Sequence, residues 1–206
     1  MRRTAVILLC ISLFSVRVMA QEDFARGLGR LTFGAEWGYV ATWQSGFHYN
    51  YFSPDGYRED ERGNEFLYYS NADVYIHCGY DFNEYWNVSM YIGYAGVHDI
   101  HKVIPVSLRG TRYFGDDPLK DRWFTFVDLG SGLCIKKEPQ EILVGKIGGG
   151  YRISLSSSVK LDFLLSARIT YTHPPVIHDG VRISLKRTNR NNAYVGAFSV
   201  GMGVSF

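Results

Sequence analysis

The sequence predicts an all-β fold, an eight-stranded antiparallel up-and-down transmembrane β-barrel preceded by a cleavable signal peptide. Three observations carry this. Apolar and polar or small residues alternate with period two along most of the 206 residues, which is the mark of strands with two unlike faces. Aromatic residues make up 16% of the chain and there are 22 glycines but only 6 prolines, a strand-rich composition. The large aromatics also collect at the two ends of the alternating segments, with Val, Leu, Ile and Ala between them. The mean hydropathy of -0.11 excludes a bundle of membrane helices, each of which would need roughly 20 consecutive apolar residues. Abundant aromatic and β-branched residues with a small net charge exclude disorder.

The expected domain organisation is a signal peptide over residues 1–20 and the barrel over residues 21–206. Arg2 and Arg3 give a positive start, Ala5 to Phe14 an apolar run, and Val18-Met19-Ala20 a peptidase site before Gln21. The apolar run is too short to span ~30 Å of hydrocarbon as an anchor. Cys10 follows Leu9, where lipoprotein processing needs a small residue. Loss of Arg2, Arg3 and Arg17 leaves 19 basic against 20 acidic residues, a formal charge of −1 in place of +2. A general nucleic-acid-binding role is therefore not indicated, and no nucleic-acid partner is expected.

Each strand follows from its alternation. The first sets Leu31, Phe33, Ala35, Trp37 and Tyr39 against Thr32, Gly34, Glu36 and Gly38. The second sets Ala72, Val74, Ile76, Cys78 and Tyr80 against Asp73, Tyr75, His77 and Gly79, and the third Trp86 to Tyr94 against Asn87, Ser89, Tyr91 and Gly93. Ile104, Val106 and Leu108 oppose Ser107, Arg109 and Thr111 in the fourth, and Val127, Leu129 and Leu133 oppose Asp128, Gly130 and Gly132 in the fifth. In the sixth, Leu143, Ile147, Tyr151 and Ile153 face away from Lys146, Gly148, Gly150 and Arg152. The seventh runs from Val159 to Ile169 against Lys160, Asp162, Ser166 and Arg168. The eighth sets Tyr194, Phe198, Val200, Met202, Val204 and Phe206 against alanines, serines and glycines.

The polar face is mostly Gly, Ser, Thr and Asn, which suits a narrow enclosed lumen better than a water-facing sheet. With strands taken alternately up and down, Trp37, Tyr39, Tyr94, Tyr171 and Tyr194 reach the upper rim. Tyr80, Trp86, Tyr113, Phe114, Trp123, Tyr151 and Phe206 reach the lower one. Two aromatic girdles around an apolar band match the two interfaces of a bilayer, whereas a soluble sandwich scatters aromatics through its core. Short lower links at residues 81–85, 115–122 and 156–158 and long upper ones at 41–70 and 172–192 fit the asymmetry of such barrels. The long links read as irregular and polar.

The whole mature chain resembles the small eight-stranded outer-membrane barrels of Gram-negative bacteria, the OmpA/OmpX type. Its most specific piece is the alternating end, where Phe198, Val200, Met202, Val204 and a terminal Phe206 look like the signal read by the outer-membrane assembly machinery. The segment from Ile104 to Phe114 also resembles the fourth strand of these barrels. The resemblance implies a place in the cell outer membrane, with outer-membrane lipid and lipopolysaccharide as surroundings and the assembly machinery as a partner during biogenesis. It also implies a monomer. Nothing follows the last strand, so the peptidoglycan-binding domain of full OmpA is not expected. Activity does not follow from the fold.

Glu36, Asp73, Arg109, Asp128 and Lys146 lie at mid-height on inward positions, with His77, Arg152, Lys160, Asp162 and Arg168 above and below. Unpaired charges there would be costly, so a structural network is expected, with Asp128 between Arg109 and Lys146. The segment Tyr68-Tyr69-Ser70-Asn71-Ala72 loosely resembles the His-x-Ser-Asn segment of lipid A deacylases, but Tyr68 stands where the His should be. A phenol with pKa ~10 is a poor general base, so no catalytic residues are assigned and the protein is read as not an enzyme. No cofactor or metal is expected, although His98, Asp99, His101, His173, His178 and Asp179 could share one rim. Cys78 and Cys134 are placed too far apart for a disulfide.

Candidate contact residues lie in the upper loops. Tyr49, Tyr51, Phe52 and Tyr57, with Phe47, stand among Asp55, Glu59, Asp60, Glu61 and Glu65 in the first, and Arg182, Lys186, Arg187 and Arg190 in the fourth. The basic loop, with Lys136 and Lys137 of the third, could pair with lipopolysaccharide phosphates. The leading functional reading is a structural or surface-interaction role through these loops, toward lipopolysaccharide, host or neighbouring proteins. The alternatives are a narrow channel with a charged lumen and, behind it, a lipid A-modifying enzyme.

Overall fold

The computed structural model describes residues 31–66, 68–98, 101–115, 117–134 and 142–206. The expected signal peptide lies outside them. The strands are β1 (Leu31–Phe52), β2 (Arg58–Glu65), β3 (Tyr69–Asp81), β4 (Trp86–His98), β5 (His101–Tyr113), β6 (Arg122–Cys134), β7 (Ile142–Ser154), β8 (Lys160–Thr172), β9 (Ile177–His178), β10 (Val181–Arg182) and β11 (Thr188–Ser205). Each of β3 to β8 pairs antiparallel with its neighbours, β11 pairs with β8, and β1 pairs with both β3 and β11. The sheet closes, so the expected eight-stranded barrel is present, formed by β1, β3 to β8 and β11.

Closure carries a stagger. From Leu31 the partners run through Tyr80, Val88, Gly110, Val127, Ile147, Ala167 and Phe198 and return to β1 at Ala41, ten residues higher. For eight strands a shear of this size goes with a tilt of ~35–45° and an interior just wide enough for side chains.

Alternation sets the two surfaces. Ile76, Met90, Leu108, Leu129, Ile147, Leu165 and Val200 point outward and are exposed, an apolar band that no soluble domain would leave uncovered. Tyr39, Tyr94, Tyr171 and Tyr194 stand toward one end of it, with Trp37 lower than expected, at the level of Val74 and Met202, and Tyr80, Trp86, Phe114, Trp123 and Phe206 ring the other. The surface is that of a membrane-spanning barrel. Inside, rings replace solvent, and small residues on facing strands make room for them. A Cβ at Gly150 would collide with the Phe163 carbonyl oxygen and the Phe124 ring, so β7 needs glycine there.

Three further expectations change. Tyr113 does not belong to the lower girdle: it is 4% exposed and packs in the lumen against Phe124, because its register puts it on the inward face of β5. Val159 lies in the lower turn, where its carbonyl accepts from the amides of Leu155 and Ser156, and β8 begins at Lys160. The long upper links are not irregular. β1 runs 22 residues and, above Thr42, exchanges β3 for β2 as its partner, while β11 stays paired up to Tyr51. The upper parts of β1 and β11 with β2 thus form a three-stranded fin standing beyond the girdle. Its tip is the turn at Pro54-Asp55-Gly56, closed by the Ser53 amide on the Tyr57 carbonyl at 2.8 Å. The last link folds as a flap, the β9–β10 hairpin turning through Asp179 and Gly180 at φ 47° and 76°, a pairing that suits a two-residue turn.

Leu129→Arg would place a charge in the middle of the apolar band, where Leu129 is 64% exposed. It is expected to cost about 2–4 kcal/mol of stability in lipid vesicles by urea titration, and a loss near zero would contradict the bilayer assignment of that face.

Candidate functional site

Two places gather the chemistry-bearing residues, the lumen and the fin. Inward alternation brings the lumen charges together in two ways, between register-paired neighbours, as in Arg109–Asp128 and Arg152–Asp162, and across the barrel, as in Arg109–Glu36 and Lys146–Asp73. Arg109 of β5 donates through Nη1 and Nη2 to Glu36 of β1 at 2.5 and 3.2 Å, and through Nε and Nη2 to Asp128 at 3.2 and 3.1 Å. Its guanidinium lies 3.9 Å over the Tyr91 ring and 4.3 Å over Phe126, and Nη1 also donates to the Tyr91 hydroxyl at 3.1 Å. Stacking and paired hydrogen bonds together offset the desolvation of a buried cation.

Lys146 differs from expectation. It sits beside Asp128 in register, yet its Nζ reaches Asp73 of β3 at 3.4 Å and lies 4.2 Å from the Tyr75 ring. Asp128 is already held by Arg109, and the long lysine stem crosses the narrow lumen to the acid opposite. Lower down, Arg152 and Asp162 form a two-bond pair at 2.6 Å each, joined by the Ser205 hydroxyl at 3.4 Å. Arg168 is 4% exposed and donates through Nε to Thr170 at 3.2 Å, while its Nη1 and Nη2 meet no acceptor among the described residues. Lys160 sits at the lower mouth opposite Ser205 and Ser154. His77 stacks on Tyr91 at 4.7 Å. The cavity left between these groups, lined by Glu36, His77, Arg109, Arg152 and Asp162 among others, is about 20 Å³. That is room for about one water molecule.

The fin owes its two faces to one residue. Pairing steps from Thr42↔Ala197 to Gln44↔Gly196, so Trp43 is an unpaired bulge that reverses which β1 residues face outward. Above it Tyr49 and Tyr51 turn toward the barrel axis with Glu59 and Glu61 of β2 beside them, while His48 and Asn50 turn outward with Arg58, Asp60 and Arg62. Of the aromatic contact candidates, Tyr51 is 1% exposed, sealed by Val176 and Ile183 of the flap, and donates to Glu61 at 2.9 Å beside His178. Tyr49 is half-buried and stacks on Phe47. Phe52 and Tyr57 are exposed at the tip. The correction is that half of this set holds the flap onto the fin rather than offering a surface.

Burial, and then the bond to the Glu61 carboxylate, push the Tyr51 hydroxyl up to about 12. The outward carboxyl of Asp60 is held below its usual range, first by its bond from Arg62 and then by those from Asn50 and His48. Of the basic candidates, Arg182 lies in β10, Lys186 and Arg187 in a short 3-10 turn, and Arg190 on the outer face of β11 with Nη1 3.3 Å from His48 Nδ1.

From sequence alone neither Arg58 nor Arg62 is singled out, and Asp60 is placed only among the acids of the first loop. The signal available is slight: two arginines four residues apart, which share a face in a strand, following a Pro-Asp-Gly turn sequence. Ser70 stands on β3 opposite Ala41, and Tyr68 shares a hydrogen bond with Tyr39 at 3.0 Å. Among the described residues no group of three or more His, Cys, Asp or Glu side chains converges as metal ligands. Asp99, Lys136 and Lys137 lie outside those residues. Cys78 is exposed on β3, with β4 and β5 between it and β6, which carries Cys134.

No protein-family model and no curated protein matches the chain. Among solved structures, the outer membrane protein OprG of Pseudomonas aeruginosa is similar at 12% identity and a TM-score of 0.48, over 85% of this chain and 95% of that one. The outer membrane protein AlkL gives 12% and 0.48 over 86% and 90%. Ail, the attachment invasion locus protein of Yersinia pestis, gives 14% and 0.34 over 86% and 99%. At these values the assignment rests on the chain's own strand pairing and surface.

Arg109→Met strands two buried acids and is expected to cost about 3–5 kcal/mol, whereas Glu36→Gln leaves Asp128 on Arg109 and costs less. Urea unfolding in vesicles measures both, and equal losses would contradict the shared-cation arrangement. Tyr51, raised in the folded state, contributes stability that is complete below pH ~10 and is lost as pH climbs through about 12. A tyrosinate absorbance step near that pH, missing in Tyr51→Phe, reports it; a step at the ordinary tyrosine value would contradict the burial.

Proposed function

We propose that the protein is an integral outer-membrane barrel whose lumen is a structural plug and whose role is surface interaction, exercised by the fin and flap on the extracellular side. The carrying observation is the lumen: Arg109, Lys146 and Arg152 each meet an acid, and the cavity between Arg109 and Arg152 is about 20 Å³. A barrel so filled is an anchor. Hydrated ions need a continuous path, and the paired charges and stacked rings occupy it.

Support for a surface role comes from where order continues beyond the membrane. Residues 44–52 of β1, all of β2 and the start of β11 spend eight to nine residues per strand on a sheet outside the girdle, with the flap packed on its inner face. Such a platform presents side chains in fixed positions, which irregular loops do not. Its partners are lipopolysaccharide, host molecules or neighbouring membrane proteins, met by a monomer. During biogenesis the assembly machinery reads Phe198, Val200, Met202, Val204 and Phe206, on the strand that closes the barrel against β1.

Planar-bilayer recordings test the plug. Wild type and Asp128→Ala are both expected to lack a stable open level, Asp128→Ala being less stable because Arg109 then keeps only Glu36. A large, long-lived conductance in wild type would overturn the anchor and favour the narrow channel.

A further inference from the structure

The outer face of the fin carries a basic groove that the surface reading leaves unassigned. Because Trp43 reverses the alternation, the fin turns His48 and Asn50 of β1, Arg58 and Arg62 of β2 and Arg190 of β11 to the same side as the lipid-facing belt. Asp60 organises them. Its two carboxylate oxygens take His48 Nε2 at 2.9 Å, Arg62 Nε at 3.3 Å and Asn50 Nδ2 at 3.1 Å. Asn50 Oδ1 in turn accepts from Arg58 Nε at 3.1 Å, and His48 Nδ1 faces Arg190 Nη1 at 3.3 Å. Arg62 thus bonds Asp60 directly while Arg58 and Arg190 are held one residue away through Asn50 and His48, so three guanidinium groups share the groove with one carboxylate and leave it positive.

These residues, with Asn189, line an open groove of about 350 Å³. That volume falls in the range of small-molecule sites, ~300–1,000 Å³. The Arg62 side chain is 68% exposed, so its planar head is available to a ligand. Guanidinium groups held at fixed spacing suit phosphate or carboxylate oxygens taken two at a time.

Position selects the ligand. Directly below, Trp43 stacks on Phe198 at 5.8 Å and lies 6.3 Å from Phe66, forming the top of the belt. His48 is five residues further along the strand. At ~3.3 Å per residue and a tilt of ~40°, the groove stands roughly 13 Å above the belt. The phosphate of an ordinary phospholipid sits at belt height and does not reach it. A lipid with a phosphorylated or acidic saccharide headgroup does, and it approaches from the side on which the groove opens.

We propose that His48, Arg58, Arg62 and Arg190, organised by Asp60, bind the phosphorylated saccharide headgroup of a glycolipid in the surrounding leaflet. This rests on the outer-membrane reading above, so the test separates the two. The full-length protein is placed in nanodiscs of phosphatidylglycerol alone, or with added lipopolysaccharide carrying a phosphorylated core, or with lipid A that lacks the core sugars. Retained glycolipid is counted by native mass spectrometry, and folding is checked by circular dichroism and by altered migration on unboiled gels.

Wild type is expected to retain core-bearing lipopolysaccharide at least about tenfold more tightly than lipid A, in a salt-sensitive manner. The variant Arg58→Gln/Arg62→Gln/Arg190→Gln should fold normally and lose that preference, while Lys120→Gln, at an exposed basic residue of the lower turn, keeps it. Equal retention of lipid A and core-bearing lipid, or an equal loss in both variants, would overturn the site while leaving the barrel standing. Failure of wild type to fold in the nanodisc would instead remove the membrane reading on which the site depends. Binding of the free phosphorylated core oligosaccharide as tightly as the intact lipid would overturn the lipid as its source.

Discussion

The structure depends on one constraint. No backbone N–H or C=O can cross hydrocarbon unpaired, and in a sheet that demand is met only when the first and last strands meet. The β1–β11 seam, from Gly34↔Ser205 upward to Tyr51↔Thr188, supplies that closure. Closing eight strands with a shear of ten residues also sets the interior width, and the width decides the rest. Aromatic rings and long charged side chains fill it, and opposite strands come close enough for Glu36 to meet Arg109 and Asp73 to meet Lys146. The lumen is therefore a consequence of closure. Its residue types are those that can be satisfied across a gap of one side chain from each wall.

A second consequence follows from the same seam. Because β1 and β11 remain paired beyond the girdle, the sheet does not end at the membrane surface, and β2 adds to its free edge there. The bulge at Trp43 then matters more than any other local feature. Without it the fin would carry the same alternation as the barrel, with Tyr49 and Tyr51 turned to the lipid side and His48 and Asn50 toward the axis. With it, the aromatic residues are buried under the flap and the basic ones face outward above the belt. One extra residue converts an extension of the lipid-facing wall into a platform with a sealed inner face and a polar outer one.

Much of this was legible in the sequence because the barrel strands obey a period of two without interruption. Inward Glu36, Asp73, Arg109, Asp128 and Lys146 could each be placed from their neighbours. Their partners could not, since pairing across a lumen depends on shear and diameter, which alternation does not contain. Lys146 lies beside Asp128 but reaches Asp73 for that reason. Tyr113 was misplaced because an aromatic near a strand end satisfies a girdle and a lumen equally, and only register separates them. The fin was hidden by its composition: residues 58–65 are polar or charged on both faces, so apolar periodicity vanishes and charge sign does not replace it. A single-residue bulge leaves no mark on composition at all.

The central claim is an inverted protein, apolar outside and polar inside, with the last strand on its wall. Spin labels placed one at a time at residues 197 to 200 of β11, in folded protein in lipid vesicles, test it most directly through collision with oxygen and with a water-soluble relaxation agent. Oxygen access should be high at positions 198 and 200 and low at 197 and 199, with little water-phase access at any of the four. Uniform accessibility along the strand, or a water-phase agent reaching positions 198 and 200, would contradict the account.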